Sequence, residues 1–406
     1  MMLRLLPLEL LEIIVSFLHG SKTDLKACSL VHSSWLEISR KRLFSSIRWT
    51  VSLYECSNCS DRLLPALLGS LSKFVTYVKQ LTIIGNGLDD NMPRLPISLL
   101  IIVVQKLPAL RILRLDKIIL PLDFFHDGAE NLVLRSLRTL IMGGDVFLDL
   151  DVNHKTTLNT FTLFPALFEL RFEDIIWVHS NEWRPNLDIL PNLQKLAFSF
   201  GSSDNSPVPF LDMVAALVPS HGLREIYTEY VPAEGCQCVA DILQRSRDSV
   251  KHLMLRVDEF EPWTPVKWMT IGQQLSQLTS LQTFSTVVTL CHWYLPEELD
   301  LSWDDPLSLI SLIPISTKNV IVVLEHYKQF DVDPLPWHRI GSALQHVSSL
   351  RQLVLIVGEI SVKEGDYYWE ELSDAVGPRD LRRFVTLGRN TSDEDSMPML
   401  ITKKWC

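Results

Sequence analysis

Apolar residues recur at helical spacing through the first 47 positions and at strand spacing through most of the chain that follows. Between Leu8 and Leu18 two apolar stripes run side by side. One is Leu8, Leu11, Val15 and Leu18, the other Leu10, Ile14 and Phe17, and Glu9, Glu12 and Ser16 mark the wet edge. Pro7 suits the first helical position, where its missing N–H costs nothing, and Gly20 accepts the left-handed conformation that closes a helix. A second helix is expected with Thr23 as its cap and Leu25, Ala27, Cys28, Leu30 and Val31 as its apolar residues. A third is expected behind a capping box formed by Ser34 and Glu37, carrying Ile38, Leu43 and Phe44. Its end, Arg40-Lys41-Arg42, places cations where a helix carboxyl terminus favours them. Three short helices with a surplus apolar stripe describe either a docking module or a helical cap on a larger fold.

From Ile47 the pattern changes to alternation, and a short theme then recurs. It reads Val78-Lys79-Gln80-Leu81-Thr82-Ile83, Leu110-Arg111-Ile112-Leu113-Arg114-Leu115 and Leu137-Arg138-Thr139-Leu140-Ile141-Met142. Copies starting at Leu167, Leu193, Leu223, Val250, Leu281, Asn319 (degenerate), Leu350 and Leu381 follow. The first eight starts, from Val78 to Leu281, differ by 32, 27, 30, 26, 30, 27 and 31 residues. One copy cannot bury its own apolar face, so copies must stack, strands parallel on one side and return segments on the other. Phe210 to Leu217 and Val239 to Leu243 predict helical returns, and Ile97 to Val104 a core helix or buried strand. The alternative is an ordinary α/β fold with irregular strands. Two spacers, Cys291 to Lys318 and Glu325 to Val347, are too apolar to read as linkers. Residues 391–406 are expected to form a flexible tail.

Leu6-Pro7, Glu9-Leu10-Leu11, Ile14, Leu18, Asp24-Leu25, Cys28-Ser29-Leu30-Val31, Trp35 and Arg42-Leu43-Phe44 resemble an F-box, in order and nearly complete. The recurring theme resembles the leucine-rich repeat, with slightly long copies and without the Asn or Cys that usually follows the strand. Together they resemble the F-box proteins with irregular leucine-rich repeats that are abundant in fungi. The resemblance implies an α/β protein: a three-helix F-box over 1–47, then a curved leucine-rich-repeat-like α/β solenoid over 48–390. It implies a substrate-recruiting subunit of a Skp–cullin–F-box ubiquitin ligase, bound to a Skp-type adaptor and through it to a cullin. Leu6, Pro7, Leu10, Ile14, Leu30, Val31 and Trp35 are the positions it assigns to the adaptor. An adaptor-bound scaffold outside ubiquitin transfer, or an enzyme with an unrecognised site, are the alternatives.

A chain of 406 residues calls for two or more domains or an array of repeats. The net charge of −10 argues against nucleic acid as a partner. Glu9 and Glu12 interrupt what would be the apolar core of a signal peptide, and Arg94 and Lys106 bound the Ile97 run far short of a membrane span. An intracellular protein without membrane contact is therefore expected. Seven scattered cysteines fit free thiols, and the pairs Cys56/Cys59 and Cys236/Cys238 lack the spacing and the histidines of a zinc site. Gly85-Asn86-Gly87 lacks the rest of a phosphate loop, and Asp89-Asp90 and Glu370-Glu371 are neighbours that point apart. No cofactor, metal or catalytic residue is expected. Strand residues between the core leucines would line the concave side and meet a protein substrate: Arg114, Asp116, Arg171, Glu173, Met254, Arg256 and Asp258. Trp177, Trp183, Trp263, Trp268, Trp293 and Trp303, just beyond strands, are candidate anchors or loop-packing residues.

Overall fold

Parallel strands need a crossover between them, and the periodic theme supplies both strand and return. The computed structural model describes residues 7–18, 21–52, 74–86, 92–121, 135–143, 146–149, 161, 163–178, 190–200, 208–219, 221–231, 235–257, 265–290, 304–326, 337–358 and 385–390. The fold is mixed α/β, with open, parallel sheet. The chain forms two compact units, Met1–Pro219 and Ser220–Cys406. The division falls inside the stretch 48–390, so the three N-terminal helices share a unit with the first strands.

Those helices are α1 (Leu8–Ser16), α2 (Lys22–Val31) and α3 (Ser33–Leu43). They enclose a small core of Leu11, Val15, Leu25 and Ile38, against which Leu18, Trp35 and Leu43 pack. The helix starts differ from expectation. Helix α2 begins at Lys22, so Ser21 is the cap and its Oγ accepts from the Asp24 N–H at 3.2 Å, while Thr23 lies inside the first turn. Helix α3 begins at Ser33, because His32 is still extended and its Nδ1 accepts from the Ser34 N–H at 3.2 Å. The Ser34–Glu37 box therefore does not form. Glu37 pairs instead with Lys41 one turn on, at 3.0 Å, and raises the pKa of that ammonium. Pro7 is the cap rather than the first helical residue, and its carbonyl accepts from Leu10 and Leu11.

Helix α3 runs directly into the sheet. In the first unit the strands are β1 (Ser46–Ser52), β2 (Gln80–Asn86), β3 (Ile112–Asp116), β4 (Ile119–Pro121), β5 (Thr139–Gly143), β6 (Phe147–Asp149), β7 (Glu169–Val178) and β8 (Lys195–Phe200). Their order is β1-β2-β3-β5-β7-β8, with β4 and β6 in a short second ladder beside the end of β7. Two apolar rows cross it in register: Leu81, Leu113, Leu140, Leu170 and Leu196, then Ile83, Leu115, Met142, Phe172 and Phe198, all buried. Helix α4 (Ile97–Lys106), the core helix of the two forms expected, bridges β2 and β3, and α5 (Val208–Leu217) follows β8.

The second unit repeats the plan with β9 (Glu225–Val231), β10 (His252–Val257), β11 (Thr283–Leu290), β12 (Asn319–His326), β13 (Gln352–Gly358) and β14 (Val385–Asn390), paired in chain order. Between them lie α6 (Cys236–Arg245), α7 (Pro265–Leu275), α8 (Asp304–Leu312) and α9 (Trp337–Leu344). Each helix touches the next, so they form a row that follows the strands. Gly272 permits the close approach of α7 and α8, since a Cβ there would stand 2.4 Å from Leu312 Cδ1. The two spacers hold α8 and α9, as their apolar content implied. Residues 381–384 and 391–406 lie outside the described residues.

A carbonyl in each copy ties successive turns together. Ser45 O accepts from Lys79 and Gln80 N–H, Lys79 O from Arg111 and Ile112, and Arg111 O from Arg138 and Thr139. Arg224 O, Lys251 O, Gln282 O and Lys318 O do the same in the second unit. Both lone pairs are used, which satisfies the donors at the entries to β2, β3, β5, β10, β11, β12 and β13.

Candidate functional site

The three-helix module divides its apolar residues sharply. Leu11 and Val15 are buried on α1, whereas Leu10, Ile13, Ile14 and Phe17 are exposed, Phe17 to 80%. On α2, Leu25 is buried while Leu30 and Val31 are 86% and 70% exposed. Of the positions assigned to an adaptor by resemblance, Leu10, Ile14, Leu30 and Val31 are thus open apolar surface. Pro7 is exposed but acts as a cap, and Trp35 packs on the module's own core. Leu6, like Gly20, lies outside the described residues. Leu8, grouped by spacing with the buried Leu11 and Val15, is exposed. Ile13 belongs to the open surface and was missed, since it stands in neither stripe but on the far flank of Leu10, Ile14 and Phe17.

The sheet face opposite the leucine rows differs between units. In the first, Arg114 donates from Nε to both oxygens of Asp116, at 3.0 and 2.9 Å, and from Nη2 to Glu173 Oε2 at 3.1 Å. Arg171 donates from Nε to Glu169 Oε1 at 2.7 Å, and Glu169 also accepts from Thr139 Oγ1. Gly143 makes the longer of these reaches feasible. A Cβ there would stand 2.9 Å from Glu173 Oε2 and 3.3 Å from Asp116 Oδ1. The expected sign-mixed lining is therefore present, but its charges are engaged with one another. They join β3, β5 and β7 to one another.

In the second unit the corresponding face is apolar. Met254, Val287, Ile321 and Val323 form a buried cluster, with Tyr227 and Val354 packed against it. Met254 and Arg256 are buried at 5% and 7% exposure, which corrects their assignment to an open lining. Register explains the difference: Tyr227, Met254, Ser285, Ile321 and Val354 stand opposite one another on adjacent strands, and an apolar row of this kind buries itself. Asp258 lies outside the described residues, as do Trp183, Trp263, Trp293 and Trp303. Trp177 falls on β7 and Trp268 on α7.

A cleft of about 460 Å³ opens where α3 meets the sheet, lined in part by Lys41, Arg42, Lys79, Ser46, Thr76 and Tyr77. Phe44 stacks on Phe74 at 4.3 Å, and the Arg40 guanidinium lies 5.7 Å from the Phe74 ring centre. These contacts fasten the helices to the first strands, and nothing in the periodicity pointed to them.

Among the described residues no group of His, Cys, Asp and Glu is arranged to hold a metal. Cys236 and Cys238 are buried free thiols on α6, and Cys56 and Cys59 lie outside the described residues. No described helix is long and apolar enough to cross a membrane. No family model matches this sequence, and no curated protein matches it either.

Proposed function

We propose that α1–α3 form an F-box that docks on a Skp-type adaptor, and that the stacked strand-and-helix copies form a leucine-rich-repeat-like solenoid holding a protein target. The chain would then be the substrate-recruiting subunit of a Skp–cullin–F-box ubiquitin ligase. One observation carries the reading: Leu10, Ile13, Ile14 and Phe17 on α1, and Leu30 and Val31 on α2, are left in water while their helix neighbours fill a core. Apolar surface on this scale marks an interaction site. That Leu10, Ile14, Leu30 and Val31 among them are positions of the F-box pattern favours the adaptor over an unspecified partner. On this reading the protein performs no covalent step. It acts by proximity, turning an encounter in solution into a local one.

The test is capture of a purified Skp-type adaptor by the full-length chain, beside the Leu10→Ala/Ile14→Ala variant. Each truncation removes about 1–3 kcal/mol of buried apolar contact, so affinity falls by roughly two orders of magnitude or more. Failure of the wild-type chain to capture the adaptor overturns the proposal. Capture of the adaptor without the cullin favours a scaffold outside ubiquitin transfer.

A further inference from the structure

The carbonyl ladder that links successive turns also fixes which side chains stand at the entry to each strand. In the first unit it aligns Lys79, Arg111 and Arg138, each just ahead of β2, β3 and β5, at the spacing of adjacent strands, about 4.8 Å. All three are exposed, as are Lys106 and Arg135 beside them. The segments entering β2, β3 and β5 (residues 74–80, 106–112 and 135–139) contain no Asp or Glu. None of the described ion pairs involves Lys79, Arg111 or Arg138, and the Arg138 guanidinium donates to the Ala166 carbonyl. Like charges facing one another across adjacent strands oppose pairing. In a chain of net charge −10, five exposed cations at the entries to neighbouring strands are a segregation of charge.

We propose that this row is a binding track for a short acidic segment of a partner protein. The cleft at its end shares Lys79 with the row and carries Lys41 and Arg42 against the single carboxylate of Glu12, so cations still outnumber anions along it. An acidic peptide fits better than nucleic acid or a membrane. The row offers Phe168 as its next position, a single ring rather than a series of stacking platforms. The acidic remainder of the chain repels an extended polyanion, whereas a short segment can lie on the row alone. This inference holds whether or not α1–α3 dock an adaptor.

The test uses full-length protein and the fluorescence anisotropy of a labelled polyglutamate peptide, read at low and moderate salt. The wild-type chain should bind with an affinity that falls as salt rises. Lys79→Glu/Arg111→Glu should weaken binding roughly tenfold. Lys22→Glu/Lys26→Glu, the same change of charge on exposed residues of α2, should leave it within about twofold of wild type. Circular dichroism checks folding, and Lys79→Gln/Arg111→Gln replaces the reversal if that variant misfolds. The proposal is overturned if the wild-type chain does not bind the peptide at low salt. Wild-type affinity in the row variant, or equal weakening by both variants, overturns it as well. Preferential binding of oligouridylate or of anionic phosphatidylserine vesicles overturns the assignment to an acidic peptide.

Discussion

Leu11 and Phe17 sit on the same helix and have opposite fates, and the contrast yields a direct test at the scale of single residues. Leu11 is 2% exposed at the centre of the three-helix core. Leu11→Ala should cost about 2–5 kcal/mol in urea denaturation of the module. Phe17→Ser should change stability by no more than about 0.5 kcal/mol, because its ring contributes little to the isolated chain. Two glycines are as decisive. A Cβ on Gly85 would meet the Lys117 carbonyl oxygen at 1.7 Å, and Lys117 is already held at a φ of 53°. Gly85→Ala should therefore disrupt the pairing of β2 with β3, seen as loss of the cooperative thermal transition of the first unit. At Gly143 the obstacle is a side chain. Gly143→Ala should displace Glu173 from Arg114 at a cost of about 1–3 kcal/mol by denaturant titration.

For the helices and strands, core-facing positions were legible and caps were not. The theme's fourth and sixth residues, such as Leu113 and Leu115 or Leu170 and Phe172, are buried as their alternation predicts. Caps depend on where the incoming chain turns, and several hydroxyls near each helix start leave that choice open. Ser21 rather than Thr23 closes α2, so Ser21→Ala should lower stability by about 1 kcal/mol. Thr23→Ala should have a much smaller effect, and the two melting curves tell them apart. At α3, an imidazole took the role expected of Ser34, since His32 arrives extended with Nδ1 facing the Ser34 N–H.

Across the whole molecule, each strand of the main ladder pairs within its unit with the copy before it and the copy after it, with the short β4 and β6 set aside in the first unit. Damage should stay local. Leu113→Ala should accelerate amide exchange in β2, β3 and β5 while β10–β13 keep their protection, measured by hydrogen exchange with mass spectrometry. An equal loss of protection in all strands would show that the chain unfolds as one cooperative body.

The periodic spacing of leucines was enough to place the parallel strands, because each copy repeats the same demand for burial, and apolar runs such as Phe210 to Leu217 and Val239 to Leu243 marked helical returns. The excess of apolar residues in α1 was equally visible, since a helix this short has one face to give a small core. Cross-strand neighbours are another matter. Arg114 meets Glu173 only because Gly143 leaves the space between them. Met254 is buried only because register sets it beside Ser285 and into a cluster with Val287 and Ile321. Such contacts join residues about 30 or more positions apart, at a register set by the packing of whole strands, and local pattern carries no record of them.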